Sequence, residues 1–447
     1  MNLERRLERL APQNAAAGVN VREDQDGASR PPAAERQRAL SELRMRIGEV
    51  LARSTPSAAV PEQVEHEPFR RERVSVRALS FESVSTSRGS IELRTARLPI
   101  SHRVGRISLQ SVARACSETI AHLALDPRLA AAHPEGWLFL DLETTGLGGA
   151  GVLAFVVGMA RLEQDGHVRV EQLLLGEPDA EMALLHYVRE RYAAASLIVT
   201  YNGKSFDRPL LEGRCAMNRM PPLPDRPHLD LLHVGRRLHQ RRLGSCSLKR
   251  IESEVLGFDR GDDIDGSEVA ARYGQYLRSG DAAGLRAVVE HNFSDVLSMV
   301  ALAGLYGQEL PELPGEDLAG LARTLERAGA RQGAERAAQQ ACERGGGIEA
   351  LRVRAQLAKA RGDTLAAVRD LEQLCRHADD PRGRLELAKL YEHKVQRPAL
   401  ALQWVARGTG ESVAELLRRR QRLERKLRAE ATRRAALPAF GADSKAR

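Results

Sequence analysis

Cysteine is scarce in this chain, and long hydrophobic runs are absent. The five cysteines are widely spaced, and no pair has the C-x-x-C spacing: Cys116, Cys215, Cys246, Cys342 and Cys375. This scatter argues against a disulfide framework and a structural zinc site, and it favours a reducing compartment. No segment approaches the roughly 20 apolar residues that span a bilayer, and the N-terminus lacks the apolar region of a secretory signal. A soluble, cytoplasmic protein without a membrane partner is therefore expected.

Aromatic residues are also few, at 4% of the chain, whereas Ala, Leu and Arg are abundant and favour helix in part of the sequence. A length of 447 residues is too great for one ordinary core and predicts two or three domains. The formal net charge of +8 favours a polyanionic partner only weakly, because such a surplus is common on soluble proteins.

The N-terminal part of the chain divides into two segments by composition. Residues 1–75 are rich in Ala, Arg, Glu, Pro and Ser but poor in large apolar residues, which predicts a disordered tail. Residues 76–135 are predicted to form a small extension of strands and helix, because Ile91 and Leu93 alternate with polar residues after a plausible turn.

Residues 136–312 carry the richest pattern. Apolar runs and helical periodicity predict strands at Trp137–Glu143, Phe155–Met159, Val168–Leu175, Leu197–Tyr201 and Leu229–Leu232, and helices at Glu181–Tyr192, Phe206–Met217 and Ala283–Leu305. Three strands, then helix, strand, helix, strand and helices is the element order of an RNase H-like fold. We therefore expect an α/β domain with a mixed five-stranded sheet and flanking helices.

Residues 315–435 are helical and repetitive. Ala322, Ala355 and Ala388 recur at a spacing of 33, and Gly329 and Gly362 keep the same spacing. A period near 34 with small residues where helices touch is typical of tetratricopeptide (TPR) repeats, although an irregular helical bundle would also fit. An all-α, TPR-like domain with a basic terminal helix is predicted, and such repeats offer a possible surface for a protein partner.

Two acids on one predicted strand form the first candidate element of a functional site. Asp141 and Glu143 lie two residues apart, and the period of a strand puts both side chains on one face. Adjacent carboxylates repel each other on an apolar strand, and a divalent cation removes that penalty. Two solvated acids at an exposed strand end would explain the same D-x-E pattern.

Two further acids follow in chain order. Asp207 ends the stretch YNGKSFD near a predicted helix N-terminus, where an aspartate is often an ordinary cap. Asp295 lies four residues after His291 on a long helix, so both face the same way, and a simple surface pair is the alternative. The combination of D-x-E, N-x4-D and H-x3-D in this order is far more specific than any one piece.

This order resembles the three exonuclease motifs of the DEDD superfamily, which includes the proofreading domains of replicative polymerases. The sequence around these motifs indicates a particular family. Four stretches look like the bacterial YprB-type RNase H-like exonuclease family: DLETTGLGGAG, YNGKSFDRPLL, HLDLLHVGRRL and HNFSDVLSM. Members of that family often carry a TPR-like C-terminal part. The resemblance covers roughly residues 90 to 430.

The resemblance implies a metal-dependent 3′→5′ exonuclease that hydrolyses DNA or RNA to nucleoside 5′-monophosphates. Asp141, Glu143, Asp207 and Asp295 correspond to the motif acids, which hold two Mg²⁺ or Mn²⁺ ions in this family. His291 occupies the general-base position, and histidine, with an unperturbed pKa of about 6.5, suits that task. The spacing departs from the family pattern, since histidine-type enzymes usually show H-x4-D and tyrosine-type enzymes Y-x3-D.

Further residues are candidates for holding the nucleic acid strand. Thr144 and Thr145 follow the first acids, and Asn202 and Lys204 lie beside the second-motif acid. The stretch 233–250 is rich in Arg and Lys without an acid, so it could follow a phosphate backbone or form a solvated helical face.

Other functions compete with this one. The glycine-rich loop 146–151 follows a strand, but a strand rather than a helix comes next, so no helix N-terminus is available for a pyrophosphate. A non-catalytic scaffold that binds nucleic acid or protein is the main alternative, and a structure-specific endonuclease on the same fold is another. The presence of all four acids favours catalysis.

Overall fold

A computed structural model of the protein describes residues 73–146, 149, 151–261, 263–308 and 312–435. The predicted tail, residues 1–75, lies outside the described residues except for its last three. Within the described ranges, no helix is long and apolar enough to cross a membrane. The five cysteines are all unbridged, in agreement with their scattered spacing.

A seven-stranded mixed sheet carries the candidate site. The strands of the described residues are β1 (Glu82–Thr86), β2 (Gly89–Pro99), β3 (Arg103–Val104), β4 (Ile107–Ser108), β5 (Trp137–Thr144), β6 (Ala154–Leu162), β7 (His167–Leu174), β8 (Leu197–Thr200) and β9 (His228–Asp230). The sheet has the order β1-β2-β7-β6-β5-β8-β9, while β3 and β4 form a separate pair. Neighbours from β1 to β5 are antiparallel, whereas β8 is parallel to both β5 and β9. The five predicted strands and the expected fold class are confirmed.

The sheet differs from the prediction in two respects. The hairpin β1–β2 joins the edge of the main sheet along β7, so seven strands replace the expected five. The predicted strand Leu229–Leu232 ends at Asp230, because the Asp230 carboxylate accepts a hydrogen bond from the Leu232 N–H at 3.1 Å and starts a helix there.

Eight helices of the described residues lie before residue 312: α1 (Gln110–Ala113), α2 (Ser117–Ala124), α3 (Glu181–Ala194), α4 (Asp207–Met217), α5 (Leu231–Leu243), α6 (Leu248–Ile251), α7 (Gly266–Ser279) and α8 (Leu285–Tyr306). Helix α8 is buried along most of its length and packs on β5 and β6. Strand β5 alternates in the expected way: Trp137 and Phe139 enter one hydrophobic core, and Leu138 and Leu140 enter the other.

Seven helices follow: α9 (Gly315–Arg327), α10 (Arg331–Glu343), α11 (Gly347–Ala360), α12 (Thr364–His377), α13 (Pro381–His393), α14 (Pro398–Ala406) and α15 (Val413–Ala435). The repeated alanines Ala322, Ala355 and Ala388 are all buried, on α9, α11 and α13. Gly329 and Gly362 end the first and third helices with positive φ angles of 83° and 86°, which side chains rarely adopt. The period of 33 is therefore structural, while the TPR-like assignment stays a prediction.

The first helices of this region share a core with the sheet. One hydrophobic cluster runs from the β5 side of the sheet through α8 to α9, α10 and α11. The junction of α5 and α9 also holds a buried polar contact, in which Arg242 donates to both carboxylate oxygens of Asp317 and His239 contacts the same carboxylate at 2.9 Å. The predicted boundary between residues 312 and 315 is thus crossed by continuous packing.

Candidate active site

Strand β5 places the first two acids on one face of the sheet. Asp141 and Glu143 continue the odd-numbered side of the strand that carries Trp137 and Phe139. The pairing with β6 shifts register between Glu143 and Thr144, so the strand is irregular where the acids end. Glu143 is only 8% exposed, and such a carboxylate needs either a partner or a proton.

Hydrogen bonds between buried side-chain amides hold helix α8 against β5. Gln172 on β7 donates to the Asn292 side-chain oxygen at 2.9 Å, and the Asn292 amide donates to the Asp141 carboxylate, also at 2.9 Å. Gly158 on β6 makes this approach possible, because a Cβ at that position would lie 2.2 Å from the Asn292 oxygen. Asn292 thereby fixes the register of α8 relative to the acids of β5.

The loop between β8 and α4 delivers Asp207 as the first residue of α4. Asp230 organises this loop by accepting hydrogen bonds from the backbone N–H groups of Asn202 at 2.8 Å and Lys204 at 3.2 Å. Gly203 packs directly on the acid, since a Cβ there would lie 2.6 Å from the Asp207 Oδ2 atom. The order N-G-K in the motif therefore has a backbone function: it lets the loop close around Asp207.

Helix α8 brings the last acid to the same place. Ligand atoms of Glu143, His291 and Asp295 lie within 4.8 Å of one another. His291 Nε2 lies 3.7 Å from the Asp295 carboxylate, as the i, i+4 spacing predicts. The structure therefore gathers residues from β5 and from α8 at one site.

Burial and mutual repulsion raise the pKa values of the acids. Burial raises the pKa of Asp141 well above its ordinary range, and the Asp295 carboxylate adds to the rise. Burial raises the pKa of Glu143 well above its usual value too, again with Asp295 as the next cause. Burial raises the pKa of Asp207 to about 7, and repulsion from Asp230 and Asp295 contributes. Such a cluster favours either protons or cations.

A segment that the sequence analysis missed contributes two residues. Arg260 is buried and contacts both Glu252 and Asp295. Asp263 lies beside it and holds His291 through a 2.6 Å contact between its carboxylate and the ring Nδ1. Both residues lie in the loop before α7, which has no periodicity and carries no known motif. The one signal in the sequence for a contribution from this loop was the high proportion of aspartate at residues 259–265.

A cavity of about 710 Å³ adjoins the acids, a size in the range of small-molecule sites. Asp141 and Asp207 stand at its polar end, and Phe206, which is 50% exposed, gives part of an apolar wall. The other lining residues are Leu142, Thr144, Gly146, Gly149, Val152, Tyr201, Asn202, Ser205, Pro209, Leu210, Gly213, Arg214 and Met217.

The four predicted substrate-binding residues separate into three groups. Thr144 and Asn202 line the cavity. Thr145 instead joins the two sides of the connection between β5 and β6, because its hydroxyl oxygen accepts a hydrogen bond from the Leu153 N–H at 2.9 Å. Lys204 lines a neighbouring, smaller cavity.

The basic stretch 233–250 has internal partners. Arg242 binds Asp317, and the side chain of Arg241 contacts Glu349 of α11. Arg237 donates to the Leu123 carbonyl oxygen at 3.1 Å. Arg241 and Arg242 thus join the sheet domain to the following helices, and Arg237 binds α2, which weighs against the interpretation that these arginines follow a phosphate backbone.

A comparison with models of protein families identifies the class of the sheet domain. A family model of the RNase H superfamily matches residues 138–306, the segment that contains the four acids. These residues form an RNase H-like domain.

One relative of similar sequence supports a more specific family. The chain is 37% identical over 218 residues to the uncharacterized protein YprB of Bacillus subtilis (strain 168), which covers 47% of this chain and 51% of that protein. The chain thus spans about half the length of this relative. The identity supports a YprB-type RNase H-like family.

One solved structure that matches this chain is the family B DNA polymerase from the hyperthermophilic archaeon Pyrobaculum calidifontis. It is 16% identical, with a TM-score of 0.30, over 50% of this chain and 29% of the polymerase chain. No conclusion about activity follows from a likeness of this size.

Proposed function

We propose that this protein is a divalent-metal-dependent 3′→5′ exonuclease of the DEDD type, which releases nucleoside 5′-monophosphates from nucleic acid. The observation that carries the proposal is that ligand atoms of Glu143, His291 and Asp295 lie within 4.8 Å of one another, while Asp141 and Asp207 line one cavity. Among the described residues, Arg260 is the cation that lowers the pKa of Glu143 within this cluster, against three carboxylates that raise it. A positive charge from outside the protein would complete the site.

The chemistry of the donor set fits Mg²⁺ or Mn²⁺. Both ions prefer carboxylate oxygens, and the cluster offers four carboxylates with a histidine beside them. Asp141, Glu143, Asp207 and Asp295 would hold two such ions. When bound, the ions supply positive charge that lowers the pKa of the attacking water and stabilises the leaving 3′-oxygen.

His291 is the proposed general base. Its Nδ1 atom faces the Asp263 carboxylate at 2.6 Å, so we assign the ring hydrogen to Nδ1. Nε2 then keeps its lone pair on the side of Asp295 and accepts the proton of the attacking water. The water oxygen bonds to phosphorus, the bond from phosphorus to the 3′-oxygen breaks, and that oxygen takes a proton from solvent.

The cavity beside the acids would receive the terminal nucleoside. Phe206 offers an exposed ring on which a base could stack, and a base of any identity has the necessary π-face. Asn202 and Thr144 supply polar groups in the same cavity for the sugar or the phosphate. This arrangement would grip an end of a strand with little sequence preference.

The direct test offers 5′-labelled single-stranded DNA, duplex DNA and RNA to the purified protein with Mg²⁺ or Mn²⁺. A ladder that shortens from the 3′ end is expected, and the substrate arms identify the preferred nucleic acid. The Asp141→Asn variant should be inactive, while Asp179→Asn, a change at an exposed aspartate, should match the wild type. Internal cuts would favour the endonuclease alternative, and full activity of Asp141→Asn would refute the assignment.

A non-catalytic scaffold that binds nucleic acid is the second candidate, because Arg260 already pairs with Asp295 inside the site. A cation supplied by the protein reduces the need for metal ions. Thermal unfolding with increasing Mn²⁺ separates the two functions: a metal enzyme is stabilised in proportion to its affinity. A scaffold should show little change.

A further inference from the structure

A second, smaller cavity lies next to the candidate active site. It has a volume of about 350 Å³ and is lined by Arg128, Lys204, Arg208, Pro209, Glu212, Asp225, Arg226 and His228. We call it the basic pocket. Pro209 lines both this pocket and the larger cavity, and Lys204 and Arg208 flank Asp207 along the chain. A ligand that leaves the active site past Pro209 would therefore meet the basic pocket first.

The charges of the basic pocket favour an anion. Four of its lining side chains are cationic and two are acidic. Arg128 is paired with Asp126, and Arg208 with Glu212 at 2.8 Å. Among the described residues, neither Lys204 nor Arg226 has an ion-pair partner. Asp225 lies 3.9 Å from Arg208, so the four cations face three acids and the pocket keeps a small excess of positive charge.

Two buried nitrogen atoms of residues that line the pocket lack hydrogen-bond partners among the described residues. They are Nδ1 of His228, a residue that is only 3% exposed, and Nε of Arg226. Buried polar groups normally have a partner, so this pair marks a place where a polar ligand or water is expected. The other His228 nitrogen is occupied by the Thr200 hydroxyl at 2.8 Å.

The local electric field agrees with this count. The pKa of His228 falls to about 3, first because the ring is buried and then because Lys204 and Arg208 repel its positive form. The ring is therefore neutral at physiological pH, and it adds no charge to the pocket.

We propose that the basic pocket binds a backbone phosphate of the substrate strand, on the 5′ side of the bond that is cleaved. The inference rests on the proposed function, because a strand whose 3′ end lies in the active site continues only in the 5′ direction. The pocket suits a phosphate rather than a base, since its walls are charged and its one ring, His228, is buried. Contacts to phosphate position a strand without reading its sequence.

Binding of an eight-nucleotide oligothymidylate, measured by fluorescence anisotropy in EDTA to prevent hydrolysis, tests the proposal. A set of oligonucleotides carries one neutral methylphosphonate at successive linkages counted from the 3′ end. At one linkage the wild type should lose about tenfold in affinity, as expected for a hydrogen bond to a charged group. In the Arg208→Ala and Lys204→Ala variants, the methylphosphonate at that same linkage should reduce the affinity only slightly further, because the cation that contacts this phosphate is already missing.

A matched control is available on α7. Arg272 pairs with Glu268 at i, i+4, as Arg208 pairs with Glu212, and the two arginine side chains are 35% and 32% exposed. Arg272→Ala should bind every oligonucleotide as the wild type does. Arg208→Ala should also reduce the slope of log affinity against log salt by about 0.7, the value for one phosphate contact on a single strand.

Four outcomes decide the proposal. Coupling between Arg208 or Lys204 and one linkage supports it, and this result stands even if the wild type fails to shorten a 3′ end with Mn²⁺, which would refute the exonuclease function alone. Equal binding by Arg208→Ala, Lys204→Ala and Arg272→Ala overturns it. Competition by inorganic phosphate without dependence on any linkage overturns it in favour of a free anion, and an oligonucleotide that does not bind overturns it outright.

Discussion

Two buried acidic sites in this protein are built in opposite ways. In the C-terminal helices, Glu392 of α13 accepts hydrogen bonds from Arg422 at 2.6 Å and from Lys426 at 2.9 Å, both on α15. The hydrogen bonds from Arg422 are the main cause that lowers the pKa of Glu392 to about 2. In the sheet domain, Asp141 and Glu143 have carboxylates for neighbours, and their pKa values rise instead.

The difference separates an acid that holds the fold together from acids that await a ligand. Glu392 joins two helices because the protein itself supplies the positive charge. The acids of the sheet domain cost folding energy when ionised, and among the described residues Arg260 and the Asn292 amide offset part of that cost. A charge imbalance that the fold maintains at one place is a reason to expect a functional cation there.

The largest expected effect is on catalysis. Asp141→Asn removes one proposed metal ligand, and because metal ions contribute several kcal/mol to such reactions, exonuclease activity should fall by about 1,000-fold or more. Glu392→Gln should retain wild-type activity at a temperature where it is folded. Rates on a 5′-labelled oligonucleotide measure both, and equal losses in the two variants would remove the distinction between the sites.

The next effect is on stability and has the reverse order. Glu392→Gln removes the charge that pairs with Arg422 and Lys426, whose side chains are 39% and 41% exposed, and should lower the free energy of unfolding by about 1–2 kcal/mol. Asp207→Asn, measured in EDTA, should leave that free energy unchanged or raise it, because one repelling carboxylate is removed. Urea denaturation checks both, and a destabilised Asp207→Asn protein would speak against repulsion in the metal-free site.

The pH dependence of stability follows from Asp207. Its pKa is raised from 3.8 to about 7 in the folded protein, so the folded state keeps a proton that the unfolded state releases at lower pH. Asp207 should therefore lower the stability of the metal-free protein as pH rises from about 4 to 7, by at most about 4 kcal/mol at about 1.4 kcal/mol for each pKa unit. Asp141 and Glu143, whose pKa values are also raised, should add to the fall.

Thermal unfolding in EDTA across this window measures the slope. Asp207→Asn should flatten it, because the amide does not titrate. A variant with the wild-type slope would assign the pH dependence to other groups.

The smallest predicted effect concerns the orientation of His291. Asp263→Asn weakens the contact that fixes the ring, so kcat should fall by about 10- to 100-fold with little change in KM, as for other residues that orient a site from behind. Asp259→Asn, at an exposed position of the same loop, is the matched control. A Mn²⁺ titration by thermal shift gives an independent readout, and identical behaviour of the two variants would exclude a positioning role.

Much of the sheet domain was predictable because its signals are local. The apolar runs Trp137–Leu140 and Leu197–Thr200 each identify a strand without reference to the rest of the chain. The four acids were predictable only as a set, since each alone has an ordinary explanation. The period of 33 placed Ala322, Ala355 and Ala388 in buried positions.

Long-range packing accounts for what the sequence did not predict. Arg260 and Asp263 reach the site from a loop whose wording gives no periodicity, and their partners Asp295 and His291 lie about thirty residues further on. The hairpin β1–β2 joins the sheet through β7, which no local pattern specifies. The arginines of α5 resembled a nucleic-acid surface because their acidic partners, Asp317 and Glu349, are distant in sequence.

Calorimetric titration of Mn²⁺ into the metal-free protein tests the central claim most directly. The wild type should bind two ions and release protons as it does so, because carboxyl groups with raised pKa values must ionise to become ligands. Asp141→Asn should bind fewer ions or bind them far more weakly, and Glu392→Gln should bind as the wild type does. Absence of binding by the wild type, or equal binding by Asp141→Asn, would contradict a metal site built from these four acids.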